Sequence, residues 1–459
     1  MNSGIELFSK CNRAGHRFIR AFDRLITKER LRNYPLIFVV LGALGVASSS
    51  VSRIVDPTVQ GPFLPDYLAH WTGGGLILSG GHGQLYDPAV QHAYQESAIG
   101  TTTKLSWFVS PPLVAVLYVP LSLMNYNLSA TCWLILTLAM LLWCILSLKS
   151  IAPKIMLMKR RTAVLGLLAS VPAFELLGGG QDSAFILAVW ILGMHFLATR
   201  HPLAAGAIFG LGFMKPQHVF LVPFLLLLTR SWKALGAFCA VVVALSAASV
   251  GLVGIEGMKE WAAALTSPMY SEQVQLGQAW KMVSLPALIV ALIPPDWAAW
   301  LSPNLAWASL TLGLGVLLLR LRTLRAPVGV QGFWVCALAT TVVFSPHLAV
   351  YDAVLMFPVV LYLLEKRSSP RIRVAVVAAF GLMWIAPVLH VGAAMLGGPF
   401  TIIDAPYSAI PLTVLWAETL KGLRIRSSDA PDGGIVSSME PGIFRIGAER
   451  RGLLGGPAG

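Results

Sequence analysis

The residues best suited to chemistry gather in one polar excursion of an otherwise apolar chain. Between Asp56 and Trp107 two strongly apolar runs are separated by glycines, tyrosines, tryptophans, histidines and one early acid, in Leu64-Pro65-Asp66-Tyr67-Leu68-Ala69-His70-Trp71. A carboxylate just past a first membrane-crossing helix, on a stretch too long for a connector, is placed to act as a base. At the low-dielectric headgroup boundary its charged form is disfavoured, which raises its pKa and makes it a better proton acceptor. The plainer reading of Asp66 is a turn residue or helix N-cap before Tyr67. Against that stand His70, Gly73-Gly74-Gly75, Gly80-Gly81 and Tyr86-Asp87-Pro88. Glycine turns with aromatics and few charges suit a surface for sugar rings and lipid stems better than a solvated spacer.

Three further groups could join it. Gly178-Gly179-Gly180-Gln181-Asp182 is either a helix C-cap followed by an N-cap, or a polar floor whose glycines let a ligand approach. Lys215 interrupts the apolar stretch 202–229, and a charge there is costly unless it is paired, faces a polar cavity or snorkels to an interface. Two short helices meeting at Lys215 would bring this cation to the surface that carries Asp66, where a lipid-linked phosphate is its natural partner. In Ser345-Pro346-His347-Leu348-Ala349-Val350-Tyr351-Asp352, a capped helix start accounts for Ser-Pro and Asp352 but not for His347 or Tyr351. No DxD, Walker A, HExxH or GxSxG motif occurs, which argues against a metal-dependent sugar-nucleotide site. Neither a metal nor a cofactor is expected.

These groups need a scaffold, and composition names it. The 459 residues are 56% hydrophobic and 12% charged, with mean hydropathy +0.71, whereas soluble domains carry about 25% charged residues. Apolar runs reach the roughly 17–20 residues that cross a bilayer. Continuous runs rather than short alternation select helices over a barrel. The expected fold is an all-α, polytopic transmembrane helical bundle of 11–13 spans, its long first outer loop carrying short amphipathic helices. Residues 1–33 read as a cytoplasmic basic amphipathic segment, 34–421 as the transmembrane domain, and 422–459 as a disordered cytoplasmic tail. No cleavable signal peptide is expected. The net charge of +13 lies mostly in short junctions between apolar runs, so it orients helices against lipid headgroups and does not imply nucleic acid. Five cysteines without a CxxC pair imply no disulfide framework.

With the basic clusters on the cytoplasmic side, Asp66, Gln181, Asp182, His347 and Asp352 fall together on the other. One region conflicts with this. Two crossings within 108–148 would put Lys149–Arg161 on the wrong side, so either Trp107–Met124 is re-entrant or that cluster breaks the charge rule.

In order along the chain, Asp66-Tyr67, Gly80, Leu85-Tyr86-Asp87, Phe108 through Pro111-Pro112, Pro120-Leu121, Gly180-Gln181, Lys215-Pro216 and Ser345-Pro346-His347 with Tyr351-Asp352 resemble glycosyltransferase family 87. That family comprises polytopic GT-C enzymes using polyprenyl-phosphate sugars. The resemblance implies an inverting, metal-independent transfer of a hexose, mannose foremost, to a hydroxyl of a glycolipid or glycan acceptor. It implies a cell (inner) membrane location, a cytoplasmic N-terminus and a site on the non-cytoplasmic face. It makes Asp66 the general base, and Lys215 and His347 the groups that face the donor phosphate. Tyr67, His70, Tyr86, Gln181, Asp182, Tyr351 and Asp352 are the expected substrate contacts. The competing expectation is a transporter or flippase for a lipid-linked or small polar substrate, which should show an internal repeat that this chain lacks.

Overall fold

Proline and glycine decide where the apolar runs break. The structure, a computed structural model, describes residues 2–55, 62–100, 105–270, 278–323, 329–345 and 347–423. The tail expected at 422–459 lies outside these from residue 424 onward, as does Pro346. Among the described residues the regular structure is helical, apart from one isolated bridge between Met282 and Ala349. Four helices among the described residues are long and apolar enough to cross a membrane: Lys28–Arg53, Tyr126–Ser150, Trp232–Leu265 and Pro370–Leu396. A fifth crossing results if Arg160–Leu168 and Val171–Gly179, bent by 56°, form one broken span.

The chain is thus an all-α polytopic membrane protein, but 11–13 uninterrupted spans are not what the described helices give. Other apolar runs fold as helices of 10–17 residues: Pro112–Ser122, Ser183–Ala198, Pro202–Met214, Pro216–Leu228 and Val330–Phe344. Proline supplies no N–H and crowds the preceding turn, so Pro111-Pro112 and Lys215-Pro216 mark breaks in runs that hydropathy counts as continuous, whereas Pro35, Pro120 and Pro387 are carried inside helices. Broken backbone is tolerated at membrane depth where protein surrounds it.

The two ends of the bundle differ sharply. At one end Arg373 grips Asp23 at 2.6 Å, tying the helix Asn2–Leu25 to the start of Pro370–Leu396. There too the Glu365 carboxylate accepts from the amides of Lys154 and Ile155, at 3.1 and 2.9 Å, capping Pro153–Met158. Lys149–Arg161 therefore shares this basic end with Lys366, Arg367 and Arg371. The 11 residues of Pro112–Ser122 are too few to cross, and this helix lies along Pro65–Leu78 instead. Within 108–148 only Tyr126–Ser147 is long and apolar enough to cross, and a single crossing there removes the conflict.

The other end carries Asp66. Its helix, Pro65–Leu78, was expected to be amphipathic, but it is buried from Tyr67 through Leu76 on every side. Gly73-Gly74-Gly75 is not a turn but a smooth helical surface, onto which Phe108, Tyr118 with Ser122, and Tyr94 close in turn. Helix Trp232–Leu265 continues past a break at Gly254, where φ is 72°, toward the same end. Trp261 Nε1 then donates to the Val109 carbonyl at 2.9 Å. In the middle, Val330–Phe344 is buried continuously from Phe333 onward, as an all-round apolar helix must be.

Gly206 sets the contact between Pro202–Leu211 and Trp232–Leu265, since a Cβ there would strike the Ala234 backbone. Backbone cannot swing aside as a side chain does. Gly206→Ala should therefore destabilise the protein by about 1–3 kcal/mol, read as a lower melting temperature in detergent. An unchanged melting temperature would show that the two helices separate freely.

Candidate functional site

Asp66 is held by an unusual piece of backbone. Leu64, two residues earlier, has φ 51° and ψ 68°, a left-handed conformation that costs a residue with a Cβ roughly 1–2 kcal/mol. It is pinned from several sides: the Tyr126 hydroxyl donates to the Leu64 carbonyl at 2.9 Å and also to that of Phe63. Ser106 Oγ donates to the Pro65 carbonyl at 2.6 Å. Asp66 thus enters the first turn of its helix, yet the helix end has no side-chain cap. The plain N-cap reading fails.

Its carboxylate points instead at the end of Val171–Gly179. A Cβ on Gly179 would sit 2.6 Å from Asp66 Oδ2, and one on Gly180 would lie 2.7 and 2.9 Å from the Cβ atoms of Tyr67 and Leu64. Gly180 also has φ 76°, the left-handed helix stop that glycine accepts without strain. These glycines admit the protein's own carboxylate and side chains, where the sequence suggested a ligand. Trp133 Nε1 secures the Gly180 carbonyl at 2.8 Å. Burial raises the Asp66 pKa, and a hydrogen bond from the Gln181 side chain only partly opposes it.

Within electrostatic range of Asp66 lies a cation ringed by acids. The run 202–229 does break at Lys215, between the short 3-10 turns Gly212–Met214 and Pro216–His218. Lys215 Nζ lies 2.5 Å from Asp182 Oδ1, 3.7 Å from Asp352 Oδ1 and 3.4 Å from Ser183 Oγ, to which it donates. It also stands 5.6 Å above the Tyr351 ring. Asp182 does not cap Ser183–Ala198 with its side chain; Lys215 takes it. Ser183 Oγ donates to Asp352 Oδ1, and His218 Nε2 is 3.3 Å from the same oxygen. Burial alone would raise both carboxyls. Lys215 and His70 hold Asp182 below the ordinary carboxylate range, and His218 and Lys215 do the same for Asp352. Burial pulls Lys215 the other way, but the two acids keep its pKa raised.

The remaining expected residues divide into two sets. His70 follows Asp66 by one turn, stacks on Tyr118 at 4.6 Å and brings Nε2 within 4.0 Å of Asp182. His347 is half-buried and lies within electrostatic range of Asp352, His218 and Lys215. Tyr67 and Tyr86, expected to touch substrate, are packing residues. Tyr67 is fully buried, its hydroxyl paired with Ser129 Oγ at 2.6 Å and its ring stacked on Trp133. Tyr86 donates to the Ser110 carbonyl at 2.7 Å. Tyr67 follows Pro65-Asp66 and Tyr86 precedes Asp87-Pro88, and both are drawn into the buried packing of this segment.

Sequence reasoning missed three contributors. His218, fully buried beside Asp352, stands in the same Lys-Pro-Gln-His segment as Lys215. Ser183 gives no chemical signal in sequence. Glu175 does: it is an acid inside an apolar run, the kind of charge a membrane makes expensive. It pairs with Lys281 at 3.1 Å, and both groups act electrostatically on Asp66.

The fold and this cluster define a helical membrane protein with a polar site at one end, and sequence comparison gives its family. Residues 108–346, just over half of the chain, match the family model of glycosyltransferase family 87. The chain belongs to that family. The matched stretch contains Gln181, Asp182 and Lys215, while Asp66 precedes it and His347 is the residue after it. No curated protein and no solved structure matches the chain.

Proposed function

We propose that this membrane glycosyltransferase moves a hexose, mannose foremost, from a polyprenyl-phosphate donor to an acceptor hydroxyl, with inversion and without a metal. The observation that carries this reading is a half-buried Asp66, seated against Gly179, within electrostatic range of the Lys215 cluster at one end of the bundle. The acceptor O–H gives its proton to the Asp66 carboxylate while its oxygen forms the new bond to the anomeric carbon. The bond from that carbon to the phosphate oxygen breaks, and its electron pair leaves on the lipid phosphate. An ammonium has three donors; Asp182 and Ser183 engage two, and the third, which faces Asp352 across 3.7 Å, would turn to a phosphate oxygen, with His347 as second contact. The basic end is the cytoplasmic one by the positive-inside rule, which puts the N-terminus inside and the site on the non-cytoplasmic face of the cell membrane.

The test is purified protein with polyprenyl-phosphate mannose and an alkyl mannoside. Release of polyprenyl phosphate together with a new disaccharide is the expected result. Movement of a substrate into sealed vesicles with no glycosidic product would establish a transporter instead.

The acidity of Asp66 gives this reading a pH signature. A base with a raised pKa is protonated, and idle, up to a higher pH than usual. The rate should therefore fall as pH drops through that raised value, with the acid limb of kcat/KM above the roughly 4 of an ordinary aspartate. A limb at the ordinary value would place the base elsewhere.

Gly179→Ala tests the seat of the carboxylate. A methyl 2.6 Å from Oδ2 must push the side chain away, and a displacement of about 1 Å costs on the order of 10²-fold in rate. Turnover should fall by that order with the protein still folded; wild-type turnover would show that Asp66 does not react from this position.

A further inference from the structure

One turn along the helix from Gly179, on the same face, stands Glu175. Since Gly179 touches the Asp66 carboxylate, Glu175 marks where a second polar region begins, a helical turn from the base. Glu175 meets Lys281 at 3.1 Å, and Lys281 Nζ lies 5.3 Å from the Trp280 ring centroid. Trp280 stacks on His390 at 4.7 Å, and His390 Nδ1 is 2.9 Å from Asp404. Glu175, Trp280, Lys281, Asp404 and Tyr407 line one cleft, whose wall includes Val350, two residues before Asp352. The Val283 amide donates to the Leu348 carbonyl at 2.9 Å, and Met282 bridges Ala349, fastening this segment to the one that bears His347 and Asp352.

We propose that this cleft holds the uncharged terminal sugar of the acceptor, with its reactive hydroxyl turned toward Asp66. This rests on the glycosyltransferase reading above and adds the class of acceptor. The lysine of the cleft, Lys281, is paired with Glu175, and Asp404 lies 2.9 Å from His390 Nδ1, so the cleft offers no surplus cation to a phosphorylated headgroup. It offers carboxylate oxygens that accept from neighbouring hydroxyls and an ammonium that donates, which is what a polyhydroxylated ring requires. The four groups are partly exposed, with 28–38% of each side chain open, so they can exchange water for hydroxyls. Lys215, by contrast, has 13% of its side chain exposed and stands among the acids on the donor side.

The probe is octyl α-mannoside, used with the full-length protein as an acceptor and, carrying a diazirine, as a photolabel. The wild type should be labelled in fragments containing Trp280 and Asp404, and free octyl mannoside should compete. In Glu175→Gln and Asp404→Asn, both nearly isosteric, labelling should fall and KM for octyl mannoside should rise about tenfold, the worth of one charged hydrogen bond. KM for the lipid donor should move less than twofold. Labelling elsewhere, no labelling, undiminished labelling in both variants, or a shift in the donor KM instead would overturn the assignment. Photolabelling does not need turnover, so it separates the two readings. Transfer retained by Asp66→Asn with the label in place would remove the base and leave the cleft. A dead Asp66→Asn with the label elsewhere would do the reverse.

Discussion

Asp66→Asn should reduce glycosyl transfer by about 10²–10⁴-fold, the usual contribution of a general base, equivalent to about 3–5 kcal/mol of barrier. The amide fills the same space against Gly179 and can still pair with Gln181, so geometry is kept and only proton acceptance is lost. Stability should move the other way. Because burial raises the pKa of Asp66 in the folded protein, folding loses stability as pH rises from the unfolded pKa through the folded one, where the group must ionise inside. Asparagine never ionises and escapes that loss, so at neutral pH the variant should melt no lower than the parent. The signature is therefore a dead enzyme of undiminished stability, measured by polyprenyl phosphate release beside a melting curve. A variant that turns over within tenfold of the parent would strip Asp66 of this role and leave the family membership untouched. A variant that fails to fold would mean the carboxylate is a structural anchor.

The class of fold was legible because hydropathy reports burial in lipid directly, and long apolar runs leave few alternatives. Span count was not, because a run of apolar residues looks the same whether it crosses once or turns back. The 202–229 stretch shows the difference: Lys215-Pro216 halves it, and the chain accepts that break because Asp182, Asp352 and Ser183 satisfy the lysine locally. The site was legible wherever a charge contradicted its surroundings, as at Asp66 and Lys215. It was illegible where the chemistry is ordinary and only position matters, as at Ser183. Glycines misled for a related reason. At Gly73–Gly75 and Gly179–Gly180 the missing side chain serves helix packing and a helix stop, and sequence does not say whether the partner in close approach is a substrate or the protein itself. Tyr67 and Tyr86 were drawn into the expected site by their neighbours in sequence, whereas their hydroxyls are spent on Ser129 and the Ser110 carbonyl.

Lys215→Met should show the largest combined loss, and the reason can be separated into two parts. The first is structural. Lys215 is the cation that Asp182 and Asp352 share, with side chains only 11% and 5% exposed, and removing one partner of a buried pair costs about 3–5 kcal/mol because the remaining charge is stranded. Here Asp182 is stranded and Asp352 keeps only His218 and Ser183, so the single variant should fold poorly or melt far below the parent. The second part concerns the donor phosphate, and only a folded variant can report it. Lys215→Met combined with Asp182→Asn removes a cation and an anion at once, leaving Asp352 with His218 and Ser183. That pair of changes should restore much of the lost stability. It should not restore turnover, since the phosphate now lacks its ammonium, and KM for the polyprenyl-phosphate donor should stay raised about tenfold or more, the worth of a charge-assisted hydrogen bond. Lys215→Arg should fall between, keeping the charge but replacing three swivelling donors with a rigid planar fork. If the double variant binds donor and turns over like the parent, Lys215 serves only to neutralise its two acids, and the phosphate must be met by His347 or by groups outside this cluster.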